Sequence, residues 1–218
     1  MLTLVPVPIG NAGDFTLRGI ETLRSADLII VEERKESSAW LRTQGITGKP
    51  FETLNEHSTP EDLKALIALC AEKNVALITD CGTPGFCDPG ADLVRLCRTS
   101  GVAIRALPGA SSLMLLLSLS SVRLDQFFFR GFLPANTEER EGAWKKLTPV
   151  REALILMDTP YRLNKMVAEL AQHFPARRVL MALSLTQENE KIVEALGRDL
   201  PAQIPAGKAE FMVLVSPA

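Results

Sequence analysis

The chain lacks a close cysteine pair. Its four cysteines, Cys70, Cys81, Cys87 and Cys97, form no C-x-x-C, and only His57 and His173 could assist them, which argues against a structural zinc site and leaves no metal ligands in the site expected here. Four such cysteines do not make a disulfide framework in a chain of 218 residues, so reduced thiols and a cytoplasmic setting are expected. Neither sign of charge is in excess: 24 Lys and Arg stand against 26 Asp and Glu, a net charge of −2. That balance excludes coating of nucleic acid by bulk charge but allows a local basic groove. Residues 1–10 have no basic stretch and contain two prolines, unlike a signal peptide. The most apolar run, residues 113–119, is far too short to cross a bilayer, so no membrane association is expected. There is no internal repeat and no low-complexity tract.

What is present is an ordinary globular balance, 46% hydrophobic and 23% charged, in a length that suits one large or two small domains. The first half alternates. Strand patterns at residues 2–7, 28–31, 75–79 and 102–107 are separated by helical patterns at 16–25, 59–72, 91–99 and 111–120. The helix at 59–72 opens on Thr59 and Pro60, with Glu61 and Asp62 in its first turn. Repeated strand–helix–strand units predict an α/β fold with a mostly parallel sheet flanked by helices. The second half changes character. Strands are expected at 126–132, 153–157, 179–185, 191–195 and 210–215, with helices at 137–147 and 161–174 and hairpin-like pairing near the carboxyl terminus. These features predict a second α/β domain with a mixed sheet, the chain dividing into 1–116 and 117–218. Phe127, Phe128 and Phe129 read as core of their strand, and Trp40 and Trp144 fall in helices.

Three segments carry glycine and proline directly after a strand and before a helix. The densest is Thr79-Asp80-Cys81-Gly82-Thr83-Pro84-Gly85-Phe86-Cys87-Asp88-Pro89-Gly90, longer and stiffer than a plain connection requires. The second, residues 6–16, has Gly10 and Gly13 but neither G-x-G-x-x-G nor a Walker lysine, and its Asp14 reads either as a helix cap or as part of a ligand loop. The third, residues 107–112, ends on Ser111 and Ser112, which could cap a helix or bond the polar edge of a base or ribose. In open α/β sheets ligands bind at the carboxyl ends of strands. Loops of backbone groups and small side chains there, without a nucleophile elbow or a Ser-His-Asp order, suit a cofactor that brings its own reactivity.

The segments P-x-P-I-G-N-x-G-D-x-T-L-R at 6–18, A-D-L-I at 26–29, D-x-G-T-P-G-x-x-D-P-G at 80–90, L-P-G-x-S at 107–111, G-F-L-P at 131–134 followed by E-R at 139–140, and T-P-Y-R at 159–162 resemble the tetrapyrrole methylase superfamily, most closely its ribosomal RNA ribose 2′-O-methyltransferase branch. The resemblance spans essentially the whole chain. It implies two α/β domains, S-adenosylmethionine bound in the cleft between them, and a homodimer. It also implies a cofactor site drawn from Pro8, Gly82, Thr83, Phe86, Ser111, Ser112, Met157 and Leu185. The chain departs from that branch at Glu32-Glu33-Arg34-Lys35-Glu36-Ser37, where the branch reads E-D-T-R-x-T, and at Asp158-Thr159-Pro160-Tyr161-Arg162, where it reads E-S-P-H-R. A Lys therefore replaces an Arg, which grips an anion differently. These departures suggest a divergent subgroup.

A methyl sulfonium is already activated, so the expected demands on the protein are alignment and exclusion of water. A ribose hydroxyl would benefit from a base, and Glu32 and Asp80, both at strand ends, are the candidates. Arg34, Lys35 and Arg162 are the candidate anchors for RNA. Three functions fit these observations: methylation of a ribose 2′-hydroxyl in ribosomal RNA, with ribosomal RNA or the small ribosomal subunit as partner; methylation of a small molecule such as a tetrapyrrole; and cofactor binding without catalysis.

Overall fold

The computed structural model describes residues 1–87 and 89–218, and in it the chain forms two compact units, Met1–Ser111 and Ser112–Ala218. Asp88, part of the glycine-rich motif, lies outside the described residues.

In the first unit the strands are β1 (Leu2–Leu4), β2 (Leu28–Val31), β3 (Phe51–Thr53), β4 (Val75–Leu77) and β5 (Ile104–Ala106), and the helices are α1 (Leu17–Ser25), α2 (Arg34–Thr43), α3 (Pro60–Glu72) and α4 (Ala91–Thr99). The sheet is wholly parallel in the order β3-β2-β4-β1-β5. Strand β2 is Leu-Ile-Ile-Val, buried throughout, as a sheet covered on both faces requires. Two cores lie on its two sides. One joins Leu23 of α1 and Leu41 of α2 to Ile29, Val31 and Ala76. The other joins Leu66 and Cys70 of α3 and Leu93 and Cys97 of α4 to Leu2, Leu28, Ile30 and Leu77. The helices that follow the neighbouring strands β1 and β4 therefore leave on opposite faces. That divergence is the switch point at which open α/β sheets hold ligands.

Helix α3 starts as its sequence predicts: Thr59 Oγ1 accepts from the Asp62 N–H at 3.2 Å, and the Asp62 carboxylate accepts from the Thr59 N–H at 2.8 Å. Helix α1 is capped by Thr16, which accepts from the Gly19 N–H at 3.0 Å, and not by Asp14, which belongs to a 3-10 turn capped by Asn11. Strand β3, three residues at the sheet edge, had no pattern long enough to announce it.

The second unit contains α5 (Ser112–Ser118), β6 (Phe127–Phe132), α6 (Thr137–Leu147), β7 (Ala153–Asp158), α7 (Leu163–His173), β8 (Arg178–Leu183), β9 (Lys191–Leu196), α8 (Leu200–Gln203) and β10 (Phe211–Val215). Its sheet has the order β6-β7-β10-β8-β9 and is mixed: β6 and β7 are parallel, β8 and β9 form a hairpin, and β10 runs antiparallel between β7 and β8. Its core gathers Trp144, Leu154, Leu156, Met166, Leu170, Met181 and Val213. The whole of α5 belongs to this unit, so the chain divides ahead of that helix and not at residues 116–117. The expectation that the phenylalanine run is core does not hold. Phe127 and Phe128 are 40% and 47% exposed, because β6 is an edge strand and its ladder shifts at a bulge between Phe129 and Gly131.

Candidate functional site

The loops after β1, β4 and β5 are fastened to one another in a ring. Val7 and Gly82 exchange backbone hydrogen bonds of 2.9 and 3.1 Å, an isolated antiparallel bridge between the first and second loops. Thr83 Oγ1 donates to the Ala110 carbonyl at 2.9 Å, tying the second loop to the third. Gly109 closes the circuit: a Cβ there would stand 2.5 Å from Cβ of Pro6, so only glycine lets the third loop touch the first. Gly82 has φ +75 and Gly85 φ +85, left-handed backbone that other residues adopt at a cost.

Of the residues expected at the cofactor, Pro8 and Gly82 are buried in this ring, Thr83 reaches across it, and Ser111 is half-buried at its margin. Phe86 is 59% exposed, a large ring held in water beside the loops. Ser112, Met157 and Leu185 belong to the second unit. Ser112 opens α5; Met157, in β7, is half-buried and stands between Phe132 of β6 and Met212 of β10. Leu185 follows β8 and is buried between Ser184 and Thr186, which have φ +48 and φ +65. Two left-handed non-glycine residues around one buried leucine are stored backbone strain, here held by Ser184 N–H donating to Glu210 O at 2.8 Å and Thr186 N–H donating to the Glu190 carboxylate at 2.6 Å. Composition carries no signal for that strain.

Acidic groups gather beside the ring. Asp80 follows β4, and partial burial, then the Glu33 and Glu36 carboxylates, push its pKa upward from the ordinary aspartate value. Glu32, half-buried, immediately follows β2. Arg34, expected at the substrate, instead reaches β3, donating from Nε to Thr53 Oγ1 and from Nη2 to Glu52, both at 3.1 Å. Lys35 is exposed on the first turn of α2.

A second constellation surrounds the end of β7; the sequence offered Arg162 as an anchor and E-R at 139–140 as a motif, but not the burial of Arg140 or its partners. Arg140 of α6 is 1% exposed, yet its guanidinium binds Asp158 at 2.7 Å, Glu169 at 2.7 Å and the Pro134 carbonyl at 3.2 Å. Desolvation works against the charge, but the hydrogen bonds to Glu169 and Asp158 outweigh it and leave the guanidinium more firmly protonated than usual. Asp158 also accepts from Arg162 at 2.9 Å and from the Thr159 N–H at 2.8 Å. The signal was available: Arg140, Trp144 and Leu147 share the buried stripe of α6, so a charge sits where the helix faces the core.

Glycine-built loops at a switch point, with carboxylates alongside, define a protein that holds a reactive cofactor by its backbone. The chain belongs to the tetrapyrrole (corrin/porphyrin) methylase family, whose model matches residues 1–201, and it is an S-adenosylmethionine-dependent methyltransferase. It is 33% identical over 217 residues to the ribosomal RNA small subunit methyltransferase I of Leptospira biflexa, covering 99% of this chain and 90% of that protein. The protein of the same name from Neisseria meningitidis is 31% identical over 222 residues, 100% of this chain and 76% of that one. Among solved structures, diphthine synthase superposes with a TM-score of 0.71 at 20% identity, covering 99% of this chain and 89% of that one. The uroporphyrin-III C-methyl transferase of Thermus thermophilus, solved with S-adenosylhomocysteine, superposes with a TM-score of 0.65 at 16% identity, covering 99% and 96%.

Proposed function

We propose that this protein methylates a ribose 2′-hydroxyl of small-subunit ribosomal RNA. The observation that carries this reading is the full-length similarity to proteins named for that RNA, at 33% identity over 99% of the chain. The ring of loops fits the cofactor. Its main chain is bare of side chains at Gly82 and Gly109, where a Cβ would press on Ile9 and Pro6, and Phe86 is 59% exposed in the same loop. Pro8, Gly82, Thr83, Phe86 and Ser111 would hold the cofactor from the first unit. The family resemblance adds Ser112, Met157 and Leu185 on the second.

When bound, S-adenosylmethionine supplies an activated methyl group for an in-line displacement. The protein's own part is to align the acceptor and to take its proton. Asp80, with its raised proton affinity, is the proposed base, and Glu32 is its neighbour at the next strand end. Because a base must be ionised, activity should fall as pH drops through the raised Asp80 pKa, a limb shifted upward from that of an ordinary aspartate. Arg162 and Lys35 are the proposed RNA contacts, with Arg34 acting through its fastening to β3. The same reading places the protein in the cytoplasm and as a homodimer, the dimer being supported by exposed Phe127, Phe128 and Phe132 on the edge strand and Met114 and Leu119 at α5.

Purified protein, radiolabelled S-adenosylmethionine and small ribosomal subunits from a strain lacking this protein provide the test. Label appearing at a ribose of the subunit's RNA is the expected result. Label passing instead to a small molecule, or to no acceptor, refutes it. Asp80→Asn should lower kcat by about 10²- to 10⁴-fold without weakening cofactor binding.

A further inference from the structure

Tyr161 is the only tyrosine in the chain and is 75% exposed, three residues past the carboxyl end of β7. The ammonium of Lys208 stands over its ring, 4.3 Å from the centroid. The Lys208 loop is tied to α7 by the Gly207 N–H, which donates to Asn164 Oδ1 at 3.1 Å. The next residue, Arg162, is only partly exposed, and its Nη1 is bound to Asp158 Oδ1 at 2.9 Å. Asp158 in turn is fully buried and gripped by Arg140, which Glu169 holds from the other side. The two carboxylates of this cluster are thus spent on buried pairs, while the partly exposed Arg162 follows Tyr161 in the chain and Lys208 stands over one face of its largely exposed ring.

An exposed ring with cations beside it has a specific use. Bases stack on aromatic faces whatever their sequence, and adjacent cations neutralise the phosphates that join them. We propose that Tyr161, Arg162 and Lys208 form a contact for single-stranded RNA, with a base stacked on the ring of Tyr161 and the adjoining phosphate held by Arg162 and Lys208. Asp158 is the positioning residue: it fixes the Arg162 guanidinium from below, and Arg140 and Glu169 fix Asp158. The inference rests on the RNA reading above and deepens it, since it names where flanking nucleotides are gripped. Burial does not explain Tyr161, because a ring this exposed contributes little to the core.

Steady-state kinetics on small ribosomal subunits, with cofactor affinity measured by calorimetry, test the proposal. Tyr161→Ala should raise KM for the subunit by roughly tenfold, within the range for loss of one base stack, and leave kcat and cofactor affinity within about twofold. Tyr161→Phe keeps the stacking face and should restore the wild-type KM. Arg162→Gln should reduce the slope of log affinity against log salt by about one, the signature of a lost phosphate contact. Asp158→Asn should lower that slope in the same direction, and Arg162→Gln should add nothing further to it. A Tyr161→Ala enzyme with unchanged KM overturns the proposal, as does a defect that Tyr161→Phe fails to restore. If the wild-type enzyme methylates no RNA, the substrate reading has failed. Fluorescence anisotropy with a mixed-sequence oligoribonucleotide then decides this inference separately: equal binding by wild type and Tyr161→Ala refutes it, and weaker binding by the variant upholds it.

Discussion

The two units solve the same problem, making a rigid surface at the carboxyl ends of strands, with different materials. The first uses main chain. Its loops meet through the Val7–Gly82 bridge, one hydroxyl from Thr83 and the bare α-carbon of Gly109. The second uses charge. Arg140, Asp158, Glu169 and Arg162 form a chain of ion pairs that begins in the core and ends at the surface. A backbone-built surface lets a ligand approach closely and depends on the absence of side chains. A charge-built surface depends on every member being present, because an ion left alone in the interior is costly. Substitutions should therefore fail in opposite ways: additions damage the first unit and deletions damage the second.

The largest effect is expected from a deletion in the second unit. Arg140→Ala strips half-buried Glu169 of its cation and leaves buried Asp158 only Arg162, and should cost about 3–5 kcal/mol in denaturant unfolding. A cost below about 1 kcal/mol would show that the cluster is not held as described. An addition in the first unit comes next. Gly109→Ala drives a Cβ to 2.5 Å from Pro6 and should destabilise by about 1–3 kcal/mol, with a clear loss of cofactor affinity by calorimetry. Unchanged affinity would separate the ring of loops from the cofactor. Thr83→Val removes a single hydrogen bond to Ala110 O and should cost about 1 kcal/mol, with a correspondingly smaller fall in affinity.

The smallest effect is a pH dependence confined to the second unit. His173 lies flat on Trp144, with ring centroids 4.8 Å apart, and burial lowers its pKa despite the opposing pull of Glu169. The unfolded chain then binds the proton more readily than the folded one, so this contribution to stability is complete above the unfolded histidine pKa of about 6.5 and is lost as pH falls through the lowered value. Thermal melts of wild type and His173→Gln between pH 7 and pH 5 should diverge, the wild type losing more. Parallel curves would remove His173 from the account.

The regular elements were legible because their signals are local. The run Leu28–Val31 is apolar throughout, and the spacing in α4 and α6 places their bounds directly. The three loops were legible for the same reason, since glycine and proline punctuate the chain at each of them. The burial of Arg140 was not legible because a charge on a helix is ordinarily at the surface, and only Asp158, eighteen residues on, and Glu169, twenty-nine residues on, make it tolerable. Phe127 and Phe128 misled because a run of aromatics has no way to report that its strand lies at the edge of a sheet.

The order of residues alone determined an α/β fold with glycine-shaped loops at strand ends, because backbone freedom and hydrophobic periodicity are properties of neighbours in the chain; that the loops serve methyl transfer was legible only through the likeness of their motifs to a known family. Tertiary structure alone decided that Gly109 must clear Pro6, that Asp158 holds Arg162, and that Lys208 stands beside the exposed Tyr161. Each of these depends on groups brought together by the packing of sheets and helices, and the free energy of a buried charge or a crowded carbon is set by what surrounds it in space.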